Sequence, residues 1–307
     1  VEYQFGYSPY SRRFRQPLTT AHGVWKVREG IIVTLTDDRG ISHQGEIAPI
    51  PWFGSESIAE AIAYCENVGT TITRDRIDEI PDRLPACQFG LGAAAMAFSS
   101  SSAPPEALSQ GTIALCGLLP TGATALDSWK ALWAKGYSTF KWKIGVGDVG
   151  TEMAIATQLI AALPPTAKLR LDANGGLTSQ MANEWLAWGD DRGEKIEFIE
   201  QPLAPDRVED TMDLGRAFRT PIALDESVAT FSQLQTVYRQ GWRGIYVIKP
   251  GIAGFPHRLG EFIATHQLDV VLSSVLETPV GRAAALGLLS YLVTRDRAMG
   301  FGVDDWL

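Results

Sequence analysis

Cysteine is scarce in this chain. There are three in 307 residues, Cys65, Cys87 and Cys116, odd in number and without a CxxC spacing. A disulfide framework and a thiolate metal site are therefore not expected, and the three read as buried thiols in a reducing compartment. Long apolar runs are missing as well: no stretch reaches the roughly 18 residues of a membrane span. The start, "VEYQFGYSPY", lacks the charged-then-apolar order of a signal segment. No block of five or six like charges occurs; the net charge is −8 and the pI near 5.1. Nucleic acid and anionic membranes are poor partners for such a surface. These absences lead to the expectation of a cytoplasmic protein, without membrane insertion, that works on a small molecule. Nothing in the sequence sets an oligomeric state.

What is present is ample core material. Hydrophobic residues make up 45% and charged residues 20%, the balance of a folded globular protein. The first hundred residues are mixed. "EGIIVTLTDDRG" and "ISHQGEIAPI" suggest a hairpin in an antiparallel sheet. "SIAEAIAYCENV" reads as a helix with Ser57 as N-cap, and "GLGAAAMAF" as a second, tightly packed helix. The Ser/Pro-rich "SSSSAPPEALSQG" marks a boundary, which predicts an α+β domain over 1–108, joined by the C-terminal tail, and a second domain over 109–307 that carries the catalytic site. Past it, eight short apolar runs alternate with helical patterns: "TIALCGLL", "TFKWKIG", "LRLDANGG", "IEFIEQPL", "PIALDES", "GIYVIKP", "DVVLSSVLE" and "AMGFGV". Strand–helix alternation at roughly 25–30 residues per unit predicts a parallel sheet and, with eight units, a TIM-type α/β barrel. A dinucleotide-binding fold is the weaker reading, because "GVGDVG" is not a GxGxxG.

The polar residues of these runs cluster at their C-terminal ends: Lys143, Asp172, Glu200, Asp225, Lys249, Ser273 and Ser274. In a barrel those ends open into one mouth, where such folds carry their chemistry. In "TFKWKIG", Lys141 and Lys143 share a face because side chains alternate along a strand. Asp172, Glu200 and Asp225 on successive strand ends would repel unless a cation lay between them. An all-oxygen donor set favours a hard ion, Mg²⁺. The histidines His22, His43, His257 and His266 lie outside these strand ends.

Lys143 and Lys249, on the second and sixth runs, would flank that ion from opposite sides. An ammonium near a dication has its charged form disfavoured, which suits a general base. Proton abstraction α to a carboxylate follows as the expected chemistry, with a small-molecule carboxylate as substrate. Lys141 is either an ion-pair partner of a ligand or a neighbour that holds the Lys143 pKa down. Asn174 shares the Asp172 face as a supporting hydrogen bonder, with Arg170 in the layer beneath. Glu226, next to Asp225, should point the other way and has at most a supporting role. Gln201 and Pro202 shape the turn after Glu200. Glu277 either pairs with a lysine at the mouth or caps the next helix.

The ordered set "KWK", "DAN", "IEQP", "LDES" and "IKP" resembles the enolase superfamily, in its muconate-lactonising-enzyme-like subgroup, over most of residues 110–277. The resemblance implies a modified (β/α)7β barrel with an N-terminal α+β capping domain. It also implies that Asp172, Glu200 and Asp225 bind Mg²⁺, with Mn²⁺ tolerated, and that Lys143 and Lys249 are the acid/base pair.

Within that subgroup, "PLTTAHGVWKVREGIIV", "GEIAPIPWFGSES" and "GLLP" look like the o-succinylbenzoate synthase family. That resemblance implies an Mg²⁺-dependent syn-dehydration of 2-succinyl-6-hydroxy-2,4-cyclohexadiene-1-carboxylate to o-succinylbenzoate through an enediolate, a step toward menaquinone or phylloquinone. In that reading Lys143 removes the α-proton and helps hydroxide leave, while Lys249 stays cationic. The loop "PLTTAHG" should fold over the mouth, with Thr19, Thr20 and Gly23, besides Ser273 and Ser274, as substrate contacts. Trp52 and Phe53 either line the pocket or belong to the cap's core. Alternatives within the subgroup are an N-succinyl or N-acyl amino acid racemase and a dipeptide epimerase. The epimerases carry a D-x-D near the eighth strand, whereas this chain ends "GFGVDDWL" with adjacent Asp304 and Asp305. An alternative of another class is a barrel that binds a metabolite without turning it over; the full set of lysines and carboxylates argues against it.

Overall fold

The computed structural model describes residues 1–20, 23–99, 113–292 and 296–303, except for the side chains of 16, 19 and 20. Two sheets form. The first is antiparallel, in the order β3-β2-β1-β4, from β1 (Glu2–Thr20), β2 (Gly23–Thr36), β3 (Ser42–Ile47) and β4 (Thr71–Thr73). β2 and β3 are the expected hairpin, paired from Ile31–Ile47 to Thr36–Ser42. Helix α1 (Ile58–Val68) starts on Ser57 with a reciprocal capping box to Glu60. A short helix α2 (Arg74–Asp78) follows, then α3 (Pro85–Ala97). α3 begins one turn earlier than its glycine/alanine run suggests. Pro85 opens it, and the buried Glu56 carboxylate accepts from the N–H groups of Ala86 (3.0 Å) and Cys87 (2.7 Å), two donors a helix start otherwise leaves orphaned.

The second sheet has eight parallel strands: β5 (Leu115–Leu118), β6 (Thr139–Lys143), β7 (Lys168–Asp172), β8 (Ile196–Glu200), β9 (Ile222–Leu224), β10 (Ile245–Ile248), β11 (Val270–Leu272) and β12 (Met299–Gly302). Each of the eight apolar runs supplies one strand. The hydrogen-bonded order β11-β10-β9-β8-β7-β6-β5-β12 is drawn toward a ring by a parallel bridge between Ser273 and Gly300. The outer helices are α4 (Ala125–Ala134), α5 (Val149–Ala162), α6 (Ser179–Asp190), α7 (Val208–Ala217), α8 (Phe231–Gln240), α9 (Pro250–Ala253) with α10 (Pro256–His266), and α11 (Pro279–Gly287). Among the described residues, seven of the eight strands are followed by helix, in keeping with the (β/α)7β pattern.

Alternation on the strands sorts apolar from polar. Phe140 and Trp142 of β6, with Leu169 and Leu171 of β7, pack outward among the helices and are fully buried, each stabilising the fold by roughly 1.5–3 kcal/mol. A separate small cluster, Phe198, Ala223, Ile245, Val247 and Val271, fills the inside of the barrel. The cap has its own core around Ile31, Val33, Leu35, Ile47 and Leu91, and it takes in Ile252, Phe255 and Val275 from the barrel. The two units therefore share an apolar contact. The boundary expected near 108, and Asp304 and Asp305, lie outside the described residues. Among the described residues no helix is long and apolar enough to cross a membrane.

Candidate active site

Register brings the charged strand ends together. Lys143 pairs with Asp172, Lys141 with Arg170, and Asp172 with Glu200. Asp225 and Lys249 follow directly after β9 and β10. Lys141 Nζ lies 2.8 Å from Asp172 Oδ2 and 2.9 Å from Glu200 Oε1. Lys249 forms an ion pair with Asp225 and stands 4.1 Å from the ring centroid of Phe53, which comes from the cap. Of the two readings of Lys141, the ion-pair partner is the one observed, and it bridges two carboxylates. Lys143, one inward step nearer the mouth, is partly exposed.

Burial sets the electrostatics. Glu200 is pushed up to about 7 by burial and by the neighbouring Asp172 charge, and Asp225 to about 6, chiefly by burial. Burial also works against the Asp172 carboxylate, but Lys141 holds it below the ordinary range. Burial would lower the Lys141 ammonium; Asp172, Glu200 and Asp225 outweigh that and raise it. Three carboxylates at the mouth thus depend on cations to remain ionised. Among the described residues no three acidic, histidine or cysteine side chains are drawn together as a ready metal cage. Asp172 and Glu200 turn to Lys141, and Asp225 turns to Lys249.

The loops after the strands hold these groups in place. Asn174, in left-handed backbone at φ 43°, donates its N–H to Asp172 Oδ1 (3.0 Å) and its amide to Glu226 Oε1 (3.1 Å). Glu226 was expected to point away from Asp225's side. The strand ends at Leu224, however, and residues 226–228 form a 3-10 turn, so strict alternation no longer applies and Glu226 reaches Asn174. Gln201, at φ 40° and fully buried, does more than shape a turn. Its Oε1 accepts from the N–H groups of Asp225 (3.0 Å) and Ser227 (3.1 Å), and its amide donates to Leu203 O and Ser227 Oγ. It ties the Glu200 strand end to the Asp225 strand end. Deeper in the barrel, Arg170 binds Glu197 (2.8 Å) and lies over the Phe198 ring.

A cavity of about 170 Å³ opens beside this set, lined in part by Leu18, Lys141, Glu200, Lys249, Ser273 and Ser274. Ser273 and Ser274 both line this cavity. Leu18 carries the β1–β2 hairpin to the cavity. Gly23 opens β2 opposite Thr20, and the side chains of Thr19 and Thr20 are outside the described residues. Phe53 belongs to the site, whereas Trp52 packs edge-on against Trp25. Glu277 meets neither expectation as stated. Among the described residues it pairs with no lysine; it accepts from Ser274 Oγ (2.9 Å) and Val275 N–H (2.6 Å), and Thr278 is the N-cap of α11. The apolar lining, Leu118, Val247, Val271 and Leu276, was invisible to sequence reasoning, since such residues look like any other core positions. The three cysteines are buried and free.

Comparison with known proteins agrees with this architecture. Residues 124–302 match the family described as enolase C-terminal domain-like, and residues 10–98 match the MenC N-terminal domain. A protein of Thermosynechococcus vestitus named o-succinylbenzoate synthase is 42% identical over 97% of this chain and 91% of its own length. One of Pectobacterium atrosepticum with the same name is 31% identical over 87% of this chain and 80% of its own. The crystal structure of o-succinylbenzoate synthase from Thermosynechococcus elongatus, complexed with Mg in the active site, superposes with a TM-score of 0.88 at 40% identity, covering 99% of this chain and 94% of that one. The chain belongs to the o-succinylbenzoate synthase family of the enolase superfamily.

Proposed function

We propose that this protein converts 2-succinyl-6-hydroxy-2,4-cyclohexadiene-1-carboxylate to o-succinylbenzoate by loss of water. The observation that carries the reading is the pair of lysines, Lys143 and Lys249, on opposite sides of three buried carboxylates at one barrel mouth, in a chain similar throughout to proteins of that name.

The donor set fits a hard divalent cation. Asp172, Glu200 and Asp225 offer only oxygen, come from adjacent strand ends, and in Glu200 and Asp225 resist ionisation without added positive charge. Mg²⁺ held there would act as a Lewis acid toward the substrate carboxylate, favouring the negative charge that develops as the α-proton leaves. Lys143, as the neutral amine, takes that proton. The resulting ammonium then returns it to the departing hydroxyl group on the same face, so water leaves and the amine is restored. Lys249, paired with Asp225 and covered by the Phe53 ring, stays an ammonium and stabilises the developing anion from the other side. Asn174 and Gln201 orient the carboxylate-bearing loops. Ser273 offers its hydroxyl to the substrate, Ser274 lines the same pocket with its hydroxyl turned to Glu277, and the hairpin that carries Leu18 keeps water out.

The test is the ultraviolet change on mixing protein, substrate and Mg²⁺, with a chelator control. Fast conversion to the aromatic product that stops on chelation is expected. No conversion, together with Mg²⁺-dependent solvent deuterium exchange into an N-acyl amino acid, would replace this reading with the racemase. No conversion and no exchange would point to a barrel that only binds.

A further inference from the structure

The cap meets the barrel through a buried polar seam that the proposed chemistry does not use. At its centre is Glu46, near the end of β3 and 1% exposed. Its Oε1 accepts from the Tyr10 hydroxyl and the Thr278 N–H (2.9 Å); its Oε2 accepts from the Thr278 N–H (2.9 Å), the Thr278 hydroxyl and the Gly281 N–H (2.9 Å). Every partner is a donor. The N–H groups of Thr278 and Gly281 belong to the N-cap and first turn of α11, a nine-residue helix, where donors otherwise go unpaired. A cap carboxylate therefore completes a barrel helix from far along the chain.

The surroundings are shaped for this contact. A Cβ on Gly281 would stand 2.8 Å from Glu46 Oε2, which would have to shift, and 3.0 Å from Glu277 Cβ, a tight contact. In the cap, Gly30 pairs with Tyr10, and a side chain there would collide with the phenol ring that reaches Glu46. Arg28, 2% exposed, binds the carbonyls of Ala48 and Pro49 just past Glu46. The segments "VREG" and "GEIAP" thus build the seam.

One short stretch connects the seam to the cavity. Glu277, packed beside Glu46 with its own pKa raised by burial, holds the Ser274 hydroxyl, and Ser274 Oγ accepts from Leu276 N–H (2.8 Å). Leu276 sits in left-handed backbone at φ 61°, a strain that persists only where neighbours over-determine it. Ser273, Ser274 and Leu276 all line the cavity.

We propose that Glu46 is a positioning residue. By capping α11 from the other domain it fixes segment 273–278, so that the substrate-facing side of the barrel is complete only with the cap docked. The identity of the substrate rests on the proposed dehydration; the latch itself does not.

Glu46→Gln turns an all-acceptor group into one whose NH₂ faces N–H donors. The expected result is a KM raised about tenfold with kcat changed by less than about threefold. The amides of Thr278 and Gly281 should also lose hydrogen-exchange protection. Tyr10→Phe, which removes one donor of several, should raise KM less. If Glu46→Gln lowered the melting temperature but left KM and exchange over 273–281 at wild-type values, Glu46 would be a plain packing residue and the proposal would be wrong. Should Glu46→Gln fail to fold, Gly281→Ala displaces the carboxylate without removing it and is read the same way. If the wild type does not turn over the cyclohexadiene, the dehydration reading fails, while the exchange measurement still decides the latch.

Discussion

The barrel mouth and the cap–barrel seam both bury acidic side chains, but they satisfy them with different partners. At the mouth, Asp172, Glu200 and Asp225 rest on the ammonium groups of Lys141 and Lys249, on long side chains that can turn away. At the seam, Glu46 rests on backbone N–H groups of α11 and two hydroxyls, donors fixed by the fold. The first arrangement leaves carboxylates paired with side-chain cations, as the proposed metal site requires. The second pairs its carboxylate with backbone donors of a helix start. Burial alone therefore does not mark a reactive carboxylate; the kind of partner separates the two.

The strongest way to break this comparison is at the mouth. Lys143→Ala should lower kcat by about a thousandfold or more, with the circular dichroism spectrum and Mg²⁺ affinity unchanged; substantial residual turnover would remove Lys143 from the base role. Glu200→Ala should weaken Mg²⁺ binding and activity together, by about a hundredfold. A change in melting temperature alone would contradict the proposed role of Glu200 as a metal ligand.

Acidity sharpens the contrast. Without a divalent ion, Glu200 and Asp225 titrate near 7 and 6 in the fold, above their ordinary range. Through that window the folded chain keeps protons that the unfolded chain has released, so stability should fall as pH rises from about 4.5 to about 7. Mg²⁺ at the proposed site would take the ionised forms, so its lift of the melting temperature should be larger at pH 8 than at pH 5.5. Equal lifts would argue that the ion binds elsewhere. Asp172, held low by Lys141 despite burial, contributes stability lost only in stronger acid, outside this window. The smallest expected effect is in the loop clamp: Gln201→Ala should cost about 1–3 kcal/mol of stability by stranding buried donors, with only a modest loss of turnover, measured by urea denaturation alongside the assay.

Much of the molecule was legible in advance. The eight apolar runs became eight strands because burial on both faces of a parallel sheet leaves a continuous apolar signature. Lys143, Asp172, Glu200, Asp225 and Lys249 stood out because charge at the end of such a run is costly without a purpose. Ser57 announced a helix start, and the structure added its capping-box partner Glu60. Less of the supporting cast could be foreseen. Glu226 was misplaced because the strand ends at Leu224 and a 3-10 turn undoes the two-residue alternation. Gln201 looked like turn chemistry, since its bonds reach residues more than twenty positions away. Phe53 was open between pocket and core, and Glu46 went unnoticed, because both make contacts across the two units, where sequence spacing carries no distance.

The sequence by itself determined the alternation of strand and helix, the order of the charged strand ends and the character of the donor set, because these follow from local periodicity and from the cost of burying charge. Only the tertiary structure decided which lysine bridges which carboxylates, that Phe53 covers Lys249, and that Glu46 completes a barrel helix. Those contacts depend on register, ring closure and the docking of two cores, which arise from packing between segments far apart along the chain.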